Sequence, residues 1–235
     1  MKERQKKILK AAVKEYQRTG QPVASGVLAK KFRFHFSPAT VRSEMLVLDQ
    51  DGFLQQPYTS AGRVPTDKAL RFLIDEMENE KEDLAENERE EVWRHMAAFH
   101  EESMKEMARF LAECTGHSGF SGFFGRLADF HGAGLKWLTE EPEFENGEFN
   151  DILKKFDSLE EDFNRFFGDL DEGVEIFIGQ ENPIKYLRQC SLLITGFENG
   201  EGKRIFGILG PKRMNYQKNK FVLEEIRKRV EKQNN

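Results

Sequence analysis

Hydroxyl, small and basic side chains occur together in two short segments of the chain, residues 37–44 and 58–63. The first reads Ser-Pro-Ala-Thr-Val-Arg-Ser-Glu, and the second reads Tyr-Thr-Ser-Ala-Gly-Arg. Hydroxyls can donate hydrogen bonds to phosphate oxygens, arginine can pair with a phosphate or a guanine, and small residues allow close approach. The chemistry that these residue types favour is therefore recognition of duplex DNA.

The first segment is predicted to open a helix. Ser37 at the N-cap, followed by Pro38 at the first helical position, is a strong start signal, because that amide has no partner anyway and the ring presets φ. Gly52 is predicted to end the helix as a C′ glycine. The apolar residues that recur at helical spacing and are predicted to face inward are Val41, Met45 and Leu48. The side chains left to point elsewhere are Ala39, Thr40, Arg42, Ser43 and Glu44.

The second segment is predicted to lie in a loop between two short strands. Residues 53–56 favour a strand, and Pro57 and Pro65 bracket the loop. Upstream, residues 25–31 favour a short helix, for which Ser25 is a suitable N-cap. Two helices, a strand, a tight loop and a return are the plan of a winged helix-turn-helix, which inserts one helix into a DNA groove. The pattern alone leaves open a capped core helix with an ordinary hairpin, or a protein-binding domain of the same geometry.

Charge is shared unevenly along the chain. Residues 1–75 contain 14 Lys or Arg and 7 Asp or Glu, a net charge of +7, whereas the remainder contains 22 and 34, a net charge of −12. A basic head attracts phosphate while an acidic body does not compete for it, although chance asymmetry is the alternative. The residues predicted to contact DNA are Ser25, Ser37, Pro38, Ala39, Thr40, Arg42, Ser43, Glu44, Tyr58, Thr59, Ser60, Gly62 and Arg63.

Length and composition bear on the other function classes. A chain of 235 residues leaves room for two compact domains and a small third. No apolar run approaches 18 residues and no basic-then-apolar leader is seen, so we expect no membrane span or signal peptide and a cytoplasmic location. Cys114 and Cys190 are expected to be reduced, buried thiols. The five histidines lack zinc-ligand spacing, and we predict no metal, no cofactor, no catalytic residue and no enzyme activity.

The remainder of the chain is predicted to combine helices with an antiparallel sheet. Residues 92–114 have apolar side chains at three- and four-residue steps and favour an amphipathic helical segment, which packs on its own domain or on a second copy. Residues 116–125, rich in glycine and phenylalanine, suit a strand with tight bends or a compact loop, of which we expect the strand, and residues 150–167 favour a helix. From Val174 the alternating pattern predicts strands, followed by a last helix over residues 218–231.

Two separated parts of the chain resemble one family, the heat-inducible transcription repressor HrcA. The segment SPATVRSEMLVLDQDGFLQQPYTSAGRVPTDKALRF is similar to the recognition helix and wing of the family's N-terminal domain. The segments EIFIGQENPIKYLRQCSLLITGF and IFGILGPKRMNYQKNKFVLEEI are similar to the closing strands and helix of its GAF-like domain. The resemblance implies an α+β fold with a winged helix-turn-helix over residues 1–75, linker and dimerisation helices over 76–115, and a reduced GAF-like α/β domain over 116–235.

The resemblance also implies a function. A member of the family is expected to repress heat-shock chaperone genes by binding an inverted-repeat operator in double-stranded DNA as a homodimer, and to be modulated by the GroE chaperonin. The chain departs from the family pattern at Ala24, at Ser43, where Asn is usual, and at Tyr58, where His is usual, so its operator can differ. The middle of the chain is also about half the usual length. The alternative is a winged-helix module that senses a ligand or binds protein and does not act on heat-shock operators.

Overall fold

Helices dominate the first 80 residues of the chain. The structure is a computed structural model that describes residues 1–80, 84–99, 103–125, 129–141, 152, 154–155, 158–167, 170, 173–199 and 202–233. The first elements are α1 (Glu3–Thr19), α2 (Ser25–Lys31), α3 (Pro38–Gln50), β1 (Leu54–Gln55), β2 (Val64–Pro65) and α4 (Asp67–Glu80). Strands β1 and β2 pair antiparallel, and their loop spans residues 56–63. The chain divides into two compact units, Met1–Glu82 and Asp83–Asn235, which are described separately.

The core of the first unit follows the predicted helical spacing. Val41, Met45 and Leu48 of α3 are fully buried, as predicted from their recurrence. Ser37 caps α3 with Pro38 at the first helical position, and Gly52 has a φ of 76° just beyond the helix end, so both predicted boundaries are confirmed. The other fully buried apolar side chains of this unit include Ile8, Leu9, Ala12, Leu28 and Ala69.

The start of α2 corrects one prediction. Ser25 is the first residue of the helix, and Ala24 occupies the N-cap position without a side-chain hydrogen bond. The backbone of Val23 is paired with Arg63 in an isolated antiparallel bridge. The backbone is therefore extended at Val23, and the helix begins two residues later. Ser25, which suits an N-cap, lies one position beyond the N-cap, inside the helix.

The second unit is built on a five-stranded antiparallel sheet. Its strands are β3 (Ser118–Gly125), β4 (Asp129–Ala133), β5 (Val174–Ile178), β6 (Cys190–Asn199) and β7 (Gly202–Pro211), and their spatial order is β4-β3-β7-β6-β5. Its helices are α5 (Glu86–Ala98), α6 (Met104–Thr115), α7 (Leu135–Thr139), α8 (Leu159–Phe167) and α9 (Tyr216–Gln233), with single 3-10 turns at Gly179–Glu181 and Lys185–Leu187. This combination confirms the predicted mixed α and β class.

Both faces of this sheet are covered. On one face Leu192 and Ile194 of β6 join an aromatic and aliphatic cluster with Phe163 of α8. On the other face the Ser191 hydroxyl lies 2.7 Å from the Tyr216 hydroxyl at the start of α9. Successive residues of a strand point to opposite faces, so a run such as Leu192–Ile194 can be buried throughout.

The structure changes two expectations for this unit. The single amphipathic segment predicted over residues 92–114 is two helices, α5 and α6, because Phe99 leaves the helix with an extended backbone and Ser103 caps a new one. The strand predicted within residues 116–125 is confirmed, and of the helix predicted over 150–167 the structure shows α8, while much of residues 150–157 lies outside the described residues. Among the described residues, no helix combines the length and apolar character needed to cross a membrane.

Candidate nucleic-acid interface

The N-terminus of α3 is exposed and is capped by a side chain. The Ser37 hydroxyl oxygen accepts a hydrogen bond from the Thr40 amide at 3.2 Å and lies 3.0 Å from the Thr40 hydroxyl. Ser37, Pro38 and Ala39 are exposed, and Thr40 is partly exposed. The partial positive charge at a helix N-terminus and the remaining free amides favour an anion there. The predicted residues therefore lie together at a helix end that suits a phosphate.

Arg42 supplies an unpaired positive charge one turn further along α3. Its side chain is exposed, and it forms no ion pair with any residue that the structure describes. Leu46 and Asp49 follow Arg42 at four and seven positions, so the three residues share one face of the helix. Leu46 is 49% exposed, which is unusual for leucine and extends this face as an apolar surface. Ser43 is exposed beside Arg42.

Glu44 does not belong to this surface, and its prediction as a DNA contact is corrected. It is only 7% exposed, and one of its carboxylate oxygens accepts a hydrogen bond from Arg4 of α1. It lies three residues after Val41, on the side of α3 that faces the interior. Glu44 therefore connects α3 to α1 and is not available to a ligand.

The loop of residues 56–63 is held in a defined conformation with an exposed tip. The Ala61 amide donates to the Tyr58 carbonyl at 3.0 Å, and the Gln56 side-chain amide donates to the Ala61 carbonyl at 3.0 Å. Tyr58 is 66% exposed, and Thr59 and Ser60 are exposed as well. Ser60 has a φ of 72°, a left-handed conformation that is rare for residues other than glycine and clusters at functional sites.

Arg63 is placed differently from its prediction as a free charge. Its Nε donates to Asp49 Oδ2 at 2.7 Å, and its side chain is only 16% exposed. Its backbone amide and carbonyl are both paired with Val23, at 2.9 Å and 2.8 Å. A carboxylate of α3 thus largely neutralises the guanidinium charge, and the contacts of Arg63 are with other parts of the protein.

Gly62 also has a structural role where a contact with DNA was predicted. A Cβ atom at this position would lie 2.5 Å from the carbonyl carbon of Val23 and 2.8 Å from that of Pro22. Only glycine lets the loop approach the segment before α2 so closely. Ser25, the remaining predicted contact, is partly buried in the first turn of α2.

The turn between α2 and α3 adds basic residues that were not predicted as contacts. Phe32, Phe34 and Phe36 stack in sequence, with ring centroids 6.1 Å and 4.9 Å apart. The alternate residues Arg33 and His35 are exposed. The alternation of aromatic and basic residues in the sequence was the available signal.

Most of the basic residues of α1 and the end of α2 are engaged in ion pairs. Glu15 accepts hydrogen bonds from Arg18 and Lys31, and these two cations lower its pKa to about 2. Lys6 pairs with Glu76 of α4. Exposed cations that form no ion pair within the described part of α2, its turn and α3 are Lys30, Arg33 and Arg42. Exposed lysines without an ion pair in the described part of α1 are Lys7 and Lys14, so free positive charge lies on α1 as well as near the N-terminus of α3.

Known proteins are similar to this chain over part of its length. Residues 40–219 match the family model described as the HrcA protein C terminal domain. The heat-inducible transcription repressor HrcA of Thermoanaerobacter pseudethanolicus is 42% identical over 120 residues, which is 49% of this chain and 34% of that protein. The protein of the same name from Thermosynechococcus vestitus is 37% identical over 122 residues, 50% of this chain and 34% of that protein. The chain thus matches about a third of the length of these relatives.

A solved structure supports the fold. The crystal structure of a hypothetical protein at 2.2 Å resolution covers 99% of this chain and 98% of its own, with a TM-score of 0.78 and 18% sequence identity. At that identity the likeness concerns the fold alone. The named relatives therefore bear on the family, and the solved structure bears on the arrangement of helices and strands.

Proposed function

The chain belongs to the HrcA family, and from that premise we propose that it is a sequence-specific DNA-binding repressor of heat-shock chaperone genes. The relatives that it matches are named heat-inducible transcription repressors. The match spans about a third of those proteins, so repressor activity is proposed for this chain and needs a direct test of DNA binding. No catalytic activity or cofactor is part of the proposal, and the protein would act in the cytoplasm.

Residues 1–75 would form the DNA-binding domain, with α2 and α3 as the helix-turn-helix and the loop between β1 and β2 as the wing. Residues 37–43 of α3 would enter the major groove, because recognition helices read base edges mainly with their N-terminal residues. Residues 58–60 of the wing would lie on phosphates or in the adjacent minor groove. Ser25 in the first turn of α2 would add a hydroxyl donor to a phosphate.

One observation carries this assignment. Arg42 is exposed and unpaired among the described residues on a face of α3 whose other end, at Asp49, contacts Arg63 at the base of the loop. The helix and the loop therefore offer their polar groups in one connected surface within the first unit.

The remaining parts of the proposal concern assembly and control. Residues 76–115 would provide linker and dimerisation helices, and residues 116–235 would form a reduced GAF-like domain. Dimers of helix-turn-helix proteins bind two half-sites about one helical turn apart, which matches an inverted-repeat operator. Modulation by the GroE chaperonin is carried over from the family.

The test of DNA binding is substitution of Arg42 in the full chain. Duplexes from upstream of the source genome's chaperone genes are titrated at several salt concentrations, with an unrelated duplex as competitor. If Arg42 pairs with a phosphate, Arg42→Ala weakens binding to every sequence and flattens the log–log salt dependence by about one unit. If Arg42 reads a guanine, the loss is about 1–3 kcal/mol and is confined to one base pair.

The matched control removes the same charge from the second unit. Lys185 is exposed and forms no ion pair among the described residues, so Lys185→Ala should leave affinity and salt dependence unchanged. Equal behaviour of the two variants would remove α3 as the contact surface. Failure of the parent protein to shift the chaperone-gene duplexes in preference to the competitor would refute the proposed function.

A further inference from the structure

Arg63 connects three elements of the first unit. Its backbone forms the two hydrogen bonds of the bridge to Val23, which precedes α2. Its side chain donates from Nε to Asp49 of α3 at 2.7 Å. The residue itself lies at the end of the loop that precedes β2. The base of the loop is therefore tied by backbone to one helix of the helix-turn-helix and by side chain to the other.

The neighbouring glycine fixes the position of this junction. At Gly62 any side chain would collide with backbone atoms of Pro22 and Val23, and backbone atoms cannot be moved aside as a flexible side chain can. The chain therefore passes the segment before α2 at one distance only. That approach sets where the Cα of Arg63 stands, and from there its side chain reaches Asp49.

Asp49, the partner of Arg63, lies where a negative charge needs a nearby cation. Asp49 is in the last turn of α3, where the helix dipole disfavours negative charge. That turn of α3 contains no basic residue. Aspartate is also a weak helix former. An acidic residue at such a position is stabilised by a cation from elsewhere in the protein, and Arg63 provides one. The side chains of Asp49 and Arg63 are 27% and 16% exposed, so solvent screens the pair only in part.

We propose that Asp49 and Arg63 are a pair of positioning residues that hold the loop of residues 56–63 against α3 in the geometry that binds DNA. This inference rests on the proposed function. Asp49 lies on the same face of α3 as Arg42, so the pair fixes the loop relative to the residues that would read the groove. A surface fixed before binding avoids the cost of ordering the loop on DNA. The charge of Arg63 is used inside the protein and is not a phosphate contact.

The competing role makes the opposite prediction for Asp49. If Arg63 bound a phosphate, the Asp49 carboxylate would compete for the guanidinium and would repel the DNA backbone. Removing Asp49 would then strengthen binding. In the positioning role, removing either partner frees the loop from α3 while its base stays tied to Val23, and removing the second partner adds little.

The experiment is a double-mutant cycle in the full chain. Asp49→Ala, Arg63→Ala and the double variant are titrated against duplexes from upstream of the chaperone genes over a range of salt concentrations. We expect each single variant to weaken binding by about tenfold and the double variant to bind no more weakly than the singles. The salt dependence of Arg63→Ala should keep the slope of the parent protein. The exchanged pair, Asp49→Arg with Arg63→Asp, should recover part of the affinity.

Several outcomes would overturn the inference. Tighter or unchanged binding by Asp49→Ala, together with weaker binding and a flatter salt slope for Arg63→Ala, would make Arg63 a phosphate contact. Should Asp49→Ala lose its helical circular dichroism, Asp49→Asn keeps the shape of the side chain, and its unchanged affinity would also overturn the inference. Arg42→Ala measured in parallel separates the two proposals, because a loss of affinity there with none at Asp49 refutes only the positioning pair.

Discussion

The two units of the chain are stabilised in different ways. In the first unit, carboxylates at the edge of the core pair with basic side chains from another helix, as Glu44 does with Arg4 and Glu76 with Lys6. In the second unit, the cluster on one face of the sheet is made of aromatic and aliphatic side chains around Phe163. Each unit also has the other kind of contact, since Ile8 and Leu9 are fully buried in the first and Arg213 pairs with Glu141 in the second.

The difference follows from size and use. A unit of about 80 residues buries a smaller fraction of its surface than one of about 150, so it has fewer apolar contacts with which to fix its helices. Ion pairs at the edge of the core contribute little stability each, but their geometry is specific. Under the proposed function the first unit binds a charged polymer, and such a surface needs helices held in defined positions more than it needs a large free energy of unfolding. The second unit can instead obtain its stability from close packing.

The largest expected effect is loss of a ring from the second unit. Phe163 is fully buried, and its ring centroid lies 5.4 Å from that of Phe120 and 5.3 Å from those of Phe130 and Phe167. Phe163→Ala should lower the free energy of unfolding of this unit by about 3–5 kcal/mol through lost burial and a cavity. Urea unfolding followed by tryptophan fluorescence measures it, since both tryptophans lie in the second unit.

The control for this prediction is three residues further along the same helix. Phe166 is 41% exposed. Phe166→Ala should cost less than about 1 kcal/mol. A similar loss for both variants would show that stability of the second unit does not come from the buried cluster.

The next effect is a dependence of the second unit on mildly acid pH. Burial lowers the pKa of His117 to about 4, and the nearby cations Arg213 and Lys218 act in the same direction. The unfolded chain binds a proton near pH 6.5 and the folded one near pH 4, so stability is complete above pH 6.5 and falls as the pH drops towards 4. The total loss is on the order of 3 kcal/mol.

His117→Gln tests the source of this dependence. Urea midpoints from tryptophan fluorescence are compared between pH 7 and pH 4.5 for the variant and the parent protein, and the variant should lose much less of its stability on acidification. A pH dependence of His117→Gln equal to that of the parent protein would exclude His117 as the titrating group.

A smaller effect at lower pH is expected in the first unit. Hydrogen bonds from Arg18 and Lys31 lower the pKa of Glu15 from 4.5 to about 2. A lowered folded-state pKa contributes stability that is present above pH 4.5 and is lost as the pH falls towards 2. Both partner side chains are more than a third exposed, so solvent screens the interaction and the contribution is roughly 1 kcal/mol or less.

Glu15→Gln should therefore destabilise the protein slightly at pH 7 and make no difference near pH 2. Thermal unfolding by circular dichroism measures the change, with tryptophan fluorescence recorded in parallel to identify the second unit. Glu3 has a side chain that is 83% exposed, and Glu3→Gln is the control. If Glu3→Gln shifts the midpoint as much as Glu15→Gln, the cause is overall charge and not the ion pairs of Glu15.

The smallest effect concerns the loop of residues 56–63. Ser60→Gly removes a left-handed strain of about 1–2 kcal/mol but adds freedom to the unfolded chain worth roughly 0.5–1 kcal/mol, so the free energy of unfolding should rise by less than about 1 kcal/mol. Ser60→Ala keeps the strain and loses the same hydroxyl. Equal thermal midpoints for the glycine and alanine variants would show that the loop is not strained at Ser60.

The sequence by itself determined the features that depend on neighbouring residues. Ser37 followed by Pro38 set the start of α3, Gly52 set its end, and the spacing of Val41 and Met45 set its inner face. Each of these follows from local hydrogen bonding, φ preferences or helical periodicity, which need no knowledge of the rest of the chain. The glycine- and phenylalanine-rich segment of β3 is a different case, because its composition also suits a compact loop and the family resemblance favoured the strand.

Only the tertiary structure decided which polar side chains are free. Glu44 and Arg63 were both predicted as contacts, yet Glu44 pairs with Arg4, 40 positions away, and Arg63 pairs with Asp49, 14 positions away. Periodicity shows which side of a helix faces inward, but the partner of a charged residue at the edge of that side depends on how distant elements pack. Arg42 remains free to bind a ligand, because no acidic residue in the described part of the chain forms an ion pair with it.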